Sequence, residues 1–262
     1  MERKTVSLPD SEMDYIEFGN GNKAFVIIPG LSVHSVMGLA DQIVTAYQDF
    51  AEEYKVYVFD RTKDLKEGCT IRDLAEDTAV AMKNVGIGQA CVFGASQGGA
   101  IAQYLAIDHP KLVEKLVLGS TFSRPGKMAE NSIRKWMRLA QEKKERELIE
   151  AFMDEVYSEN TLKMYREIMI SSNLGITDEE YQRFVILAGT CMTFDSYTKL
   201  SGIRCPVLVL GSEGDKVVGP EASREIADAL GCELYLYDGS YGHGVYDEAE
   251  DYKRRCLDFF RK

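Results

Sequence analysis

Gly94, Ala95, Ser96, Gln97 and Gly98 spell a G-x-S-x-G run between two apolar segments, residues 90–93 and 100–107. Strand, tight turn and helix in that order make the elbow on which a serine hydroxyl is presented as a nucleophile. The turn strains the serine backbone and crowds its neighbours, so small residues are needed two positions before and after it. Gly94 and Gly98 meet that need. A serine hydroxyl attacks poorly near neutral pH unless a base takes its proton, and histidine suits that role.

The chain has three histidines. His109, in Asp108-His109-Pro110, sits where the helix after the elbow should end, a structural position. His34 follows an early apolar strand and reads as a residue of the pocket wall. His243, within Ser240-Tyr241-Gly242-His243-Gly244, comes after the last strand and so belongs to a loop at the carboxyl edge of the sheet, where a base for Ser96 is needed. A carboxylate should orient that imidazole, in chain order between serine and histidine. Asp215 fits, on the loop after residues 207–210, with Glu213 and Asp238 as competing acids. Two backbone amides should hold a developing oxyanion: that of Gln97, directly after the nucleophile, and one from Pro29-Gly30-Leu31-Ser32. Pro29 has no N–H and Gly30 supplies the turn, which leaves Leu31 as the candidate and Ser32 as the fallback.

The elements that must position these groups alternate. Short apolar runs at residues 56–59, 90–93, 115–118, 207–210 and 233–237 read as buried parallel strands. Between them, helical stripes such as Ile71, Leu74, Ala75, Thr78 and Met82 supply faces to cover a sheet on both sides. Residues 15–18 and 24–28 flank Gly19-Asn20-Gly21-Asn22 and predict an antiparallel hairpin at one edge. Residues 124–200 carry only helical signals, among them Ile133, Trp136 and Met137, with Trp136 a candidate for the pocket lining. So long an interval reads as an inserted binding element rather than a connection.

With these residues in place, the sequence resembles the α/β-hydrolase superfamily, especially its capped single-domain members. The likeness spans nearly the whole chain, including residues 70–77, 109–118 and Cys205-Pro206-Val207-Leu208-Val209-Leu210-Gly211. It implies an α/β fold with a mostly parallel twisted sheet and helices on both faces. A helical cap (124–200) is inserted after strand 6 of a core made of 1–123 and 201–262. It further implies catalysis by Ser96, Asp215 and His243 through an acyl-enzyme, without cofactor or metal. A carboxylesterase acting on small acyl esters asks least of this machinery. The same machinery is similar to that of carbon–carbon bond hydrolases, aminopeptidases, cofactor-free peroxidases and acyltransferases. Dehalogenases and epoxide hydrolases of the fold place Asp where this chain has Ser96. A non-catalytic ligand-binding protein would be expected to have lost a member of the set. Two departures from the family pattern stand out: Pro29-Gly30 replaces the usual His-Gly, and the stretch after Asp60-Arg61 lacks the usual glycines.

Composition narrows the partners. With 31 Lys and Arg against 42 Asp and Glu, the formal charge is −11, a field that repels the phosphates of nucleic acid. Six scattered cysteines without a CxxC pair suggest neither zinc nor a disulfide framework, and a reduced cytoplasm fits. No long apolar run or leader pattern points to a membrane. The expected partner is a small-molecule substrate.

Overall fold

The computed structural model describes residues 1–262. Eight strands form one sheet: β1 (Glu2–Ser7), β2 (Glu12–Phe18), β3 (Lys23–Ile28), β4 (Tyr54–Thr62), β5 (Ala90–Ala95), β6 (Val113–Gly119), β7 (Val207–Ser212) and β8 (Glu233–Tyr237). Their order is β1-β2-β4-β3-β5-β6-β7-β8. The β1–β2 and β2–β4 pairs are antiparallel, and every pair from β4–β3 onward is parallel. The helices are α1 (Ala40–Ala46), α2 (Ile71–Asn84), α3 (Gln97–Asp108), α4 (Lys127–Gln141), α5 (Glu145–Val156), α6 (Glu159–Ser172), α7 (Asp178–Met192), α8 (Pro220–Leu230), α9 (Val245–Glu248) and α10 (Tyr252–Arg261).

Period-two alternation divides the core between the two faces of the sheet. In β3, Val26 and Ile28 join the core under α2, α3 and α8, while Phe25 and Ile27 join the opposite core with Phe50, Tyr252 and Phe260. The predicted strands form, and the central ones run longer than the apolar run alone suggests: β4 begins at Tyr54 and ends at Thr62, carrying Asp60 and Arg61 into the interior. Thr70 starts α2 with a reciprocal capping box to Asp73, which satisfies two of the orphan amides at the helix end.

The edge of the sheet corrects the expected hairpin. β2 and β3 are not paired, because β4 lies between them. The Gly19–Asn22 turn is instead wedged against the start of β4: a Cβ at Gly19 would lie 2.4 Å from the Tyr54 carbonyl oxygen, and one at Gly21 would lie 1.9 Å from the Glu53 carbonyl carbon. On its outer side β2 pairs with β1, a strand unmarked by hydropathy because only Val6 of its six residues is buried. It is an edge strand, held partly by Lys4 against Glu17 at 2.7 Å. Edge strands tolerate and even favour such charge.

Between β6 and β7 the chain forms α4 to α7 and no strand. Ile133, Trp136, Phe184 and Leu187 from α4 and α7 are continuous with the core under α2 and α3. None of the helices is long and apolar enough to cross a membrane.

Phe25 is fully buried and stacks on Phe50 at 4.7 Å, with Tyr54 and Phe260 edge-on at 6.1 and 5.2 Å. Phe25→Ala should therefore cost about 3–5 kcal/mol, seen as a lower urea midpoint with the slope unchanged.

Candidate active site

The elbow follows from close packing. Ser96 has φ 52° and ψ −121°, a region that a residue with a side chain enters only under constraint, at a cost of about 1–3 kcal/mol. The constraint is visible on both sides of the turn. A Cβ at Gly94 would come 2.4 Å from the Gly98 carbonyl oxygen, and one at Gly98 would come 2.0 Å from that of Ile28. The Ser96 amide donates to the Gly119 carbonyl at 2.8 Å, and the Thr121 hydroxyl donates to the Ser96 carbonyl at 2.7 Å.

Loops after β7 and β8 bring two further groups to the serine. Ser96 Oγ lies 2.9 Å from His243 Nε2, and His243 Nδ1 lies 2.8 Å from Asp215 Oδ2. With the carboxylate on Nδ1–H, Nε2 is left to accept from the serine hydroxyl. The other carboxylate oxygen, Oδ1, accepts from the amides of Val217 and Val218 at 2.8 and 2.9 Å. Burial pushes the Asp215 carboxyl up, but the His243 charge and hydrogen bond and these amides outweigh it and hold it below the ordinary carboxylate value. The competing acids are elsewhere. Glu213 meets Arg224, and Asp238 accepts from the Ser240 amide and hydroxyl. His109 meets Glu76 at 2.7 Å.

The loop after β3 lies against the serine: a Cβ at Gly30 would sit 3.3 Å from Ser96 Cβ. The Leu31 amide donates to no backbone carbonyl, and the Gln97 amide, first in α3, has no carbonyl four residues back within its helix. The loop is pinned from below. Arg61, buried after β4 turns inward, donates to the Pro29 carbonyl at 2.5 Å and to Gln97 Oε1 at 3.3 Å. Burial lowers the Arg61 pKa to about 10 against the pull of Asp60. Asp60 accepts from the Arg61 amide, from Ser35 and, at 2.6 Å, from Arg183 of α7. Gln97 Nε2 donates to the Leu187 carbonyl of the same helix at 2.7 Å. These polar ties join the elbow, the Pro29–Ser32 loop and α7 into one unit.

A cavity of about 930 Å³ opens over Ser96 and His243. Leu31, Ser32 and Trp136 line it, and Trp136 packs on Phe152 with ring centroids 4.6 Å apart. His34 does not. It turns away to the helices, with Nδ1 2.7 Å from Glu180 Oε1 and Nε2 2.9 Å from the Asn173 carbonyl oxygen. Two strong acceptors on α7 and the α6–α7 loop take both ring nitrogens, which corrects the expectation of a pocket residue.

Residues 68–250 match the model of the family described as serine aminopeptidase, S33. The chain belongs to the α/β-hydrolases. This α/β-hydrolase is 27% identical over 266 residues to a 2-hydroxy-6-oxononadienedioate/2-hydroxy-6-oxononatrienedioate hydrolase of Burkholderia vietnamiensis, covering 95% of this chain and 90% of the relative. Its fold is shared with the α/β-hydrolase enzyme MGS-M2 from a deep-sea metagenome library (TM-score 0.88, 19% identity, 99% and 98% covered). The enol-lactonase of Burkholderia xenovorans is likewise similar in fold (TM-score 0.85, 19% identity, 99% and 100% covered).

Within this α/β-hydrolase, sequence reasoning missed Asp60, Arg61 and Arg183. The available signal was a charged pair ending an otherwise apolar strand, which a buried position makes costly unless partners meet it. The steric argument at the elbow is directly testable. Gly98→Ala should cost about 3 kcal/mol or more, lowering the melting temperature by roughly 6–12 °C. Gly88→Ala, which faces open space, should leave it unchanged.

Proposed function

We propose that this enzyme is a serine hydrolase that cleaves a carboxylic ester through an acyl-enzyme intermediate. The observation that carries the reading is the continuous hydrogen-bonded line from Ser96 Oγ through His243 to Asp215, at 2.9 and 2.8 Å. In the proposed reaction His243 accepts the Ser96 proton as Oγ adds to the ester carbonyl, and returns it to the leaving alkoxide. Asp215, with its proton affinity held low, stabilises the imidazolium between these events. The Gln97 and Leu31 amides receive the charge that develops on the carbonyl oxygen. Water, activated by the same histidine, then releases the acid. The four helices between β6 and β7 act as a cap whose α4 and α5 faces, including Trp136 and Phe152, enclose the apolar part of the substrate.

The charged lining of the cavity argues against a substrate with two carboxylates, such as the name of the Burkholderia vietnamiensis relative specifies. Apart from His243, Lys253 is the basic side chain lining it, opposed by Asp247, Glu248 and Glu250. Two anions entering that field would be repelled rather than held.

A fluorophosphonate probe tests the reading, because it reacts only with an activated serine. Wild type should label at a single site, and Ser96→Ala and His243→Ala should not label at all. With a p-nitrophenyl ester, Ser96→Ala should lower kcat by about 10⁴–10⁶ and Asp215→Asn by about 10⁴, with KM little changed. An unlabelled wild type overturns the proposal and favours a ligand-binding role, and full activity in Asp215→Asn removes that residue from it.

A further inference from the structure

His34 has no part in the proposed chemistry, yet it closes one corner of the cavity from behind. The cavity runs between the loop after β3, with Leu31, Ser32 and Val33, and α6 with its cap residue, including Met164, Ile168 and Asn173. His34 joins the two sides. Its Nε2 lies 2.9 Å from the Asn173 carbonyl oxygen, at the end of α6, and its Nδ1 lies 2.7 Å from Glu180 Oε1, in the first turn of α7. The backbone that carries it is tied down on either side. The Ser32 hydroxyl donates to the His34 carbonyl at 2.8 Å, and the Ser35 hydroxyl donates to Asp60 at 2.5 Å.

The chemistry of the two partners fixes the protonation state of the ring. A carboxylate and a peptide carbonyl only accept hydrogen bonds, whereas a neutral imidazole has a single N–H to give. Both contacts are satisfied together only by the imidazolium, with a proton on each nitrogen. The surroundings favour that form. Asn173 caps the C-terminus of α6, where carbonyls lack partners within the helix and the dipole is negative. Glu180 keeps its other oxygen on the Thr177 amide at 2.9 Å. Glu145, at the start of α5, adds a second negative charge near the ring while accepting from the amides of Gly175 and Ile176 at 2.7 and 2.8 Å. The nearby cation of α7, Arg183, is taken up by Asp60 at 2.6 Å. Burial works against the charged ring, but the Asn173 carbonyl and the two carboxylates outweigh it and raise His34 above the ordinary imidazole value.

We propose that His34, carried as the imidazolium, is a pH-sensitive clamp that ties the end of α6 and the start of α7 to the loop after β3, and that loss of its proton frees this corner of the cavity. The clamp acts where the structure is least held. α6 has Ile170 as its single buried residue and rests on α5 through the Arg166–Asp154 ion pair and a small core of Ile149, Met153 and Ile170. When the proton leaves, one ring nitrogen becomes an acceptor facing an acceptor, and that contact turns from attraction to repulsion. Because the proton affinity of the folded state is raised, the clamp is whole below the ordinary value of about 6.5 and is lost as pH rises through the raised one. The inference goes beyond the serine-hydrolase reading and does not depend on it.

Two measurements on the intact protein test the clamp. Ring-nitrogen NMR with isotope-labelled histidine reads the protonation of each of the three histidines, with His34 assigned by its loss in His34→Gln. At about pH 6.5 wild-type His34 should carry protons on both nitrogens, and Glu180→Gln should lower its titration midpoint. Hydrogen exchange, corrected for the intrinsic pH dependence of amide exchange, reads the opening. Protection of residues 168–177 should fall about tenfold across the His34 midpoint in wild type and stay level in His34→Gln. Should that variant fail to fold, Glu180→Gln, which can still complete the capping box with Thr177, should move the fall in protection to lower pH. A single neutral tautomer at about pH 6.5, a midpoint that ignores Glu180→Gln, or a fall in protection that is missing from wild type or persists in His34→Gln overturns the clamp. Neither readout uses the serine, so absence of fluorophosphonate labelling would strike the hydrolase reading alone.

Discussion

Everything at the site depends on the backbone of Ser96 being held at positive φ. The conformation costs energy by itself and persists because β5 and α3 leave it no alternative: Gly94 and Gly98 face each other across a gap that admits no Cβ. Gly98 also abuts the carbonyls of Ile28 and Pro29, with a Cβ there falling 2.0 and 2.4 Å from their oxygens. The same close approach therefore fixes Ser96 and the loop that carries Leu31. Register carries the effect outward. Ile28 is paired with Gly94 and Ala95 with Gly119, so the elbow, the Pro29–Ser32 loop and the end of β6 emerge side by side at the carboxyl edge, where α/β sheets bind ligands.

The four helices over that edge are not held equally. α7 is fastened to the floor by Gln97, by Arg183 on Asp60 and by Glu180 on His34. Buried ionic groups are costly unless paired, and removing one partner is worse than removing both, so α7, which contributes no residue to the cavity lining, is held stiffly. In α6, by contrast, Ile170 is the single buried residue of fourteen, and Met164, Tyr165 and Ile168 are half or more exposed along the cavity wall. Few buried apolar contacts mean a low free energy of local opening. The cavity thus has a compliant wall in α6, beside a helix that is held fast.

How much of this was legible in the sequence follows from how local each determinant is. The elbow was readable because its strand, turn, glycines and helix are contiguous, and the α/β architecture was readable because hydrophobic period is a local property. Pairing is not local. Nothing in Gly19–Asn22 says that β4, arriving from residue 54, will separate β2 from β3, and a polar edge strand such as β1 has no apolar signature to read. Chain order narrowed the acid to Asp215, Glu213 or Asp238, but only the structure puts Asp215 on His243 and leaves the other two on Arg224 and Ser240. His34 failed as a pocket residue for the same reason: its partners, Asn173 and Glu180, lie some 140 positions away in the chain.

One short segment ties the cavity lining to His243. Glu248, at the end of α9, accepts from the amides of Gly242 and Ser158, while the Gly244 amide donates to the Val156 carbonyl at 2.7 Å. Residues 242–248 are thereby stapled to the α5–α6 junction at two points and closed on themselves at a third. His243 and Asp247 sit within the stapled stretch, four residues apart, so these two side chains of the cavity move together or not at all. A substitution that enlarges the cavity from the α5 side pulls on Val156 and Ser158, and through them on the imidazole 2.9 Å from Ser96. The cavity is consequently easier to reshape from α6, which touches the histidine loop only through its Ser158 cap, than from α9, where a change in the lining also shifts His243.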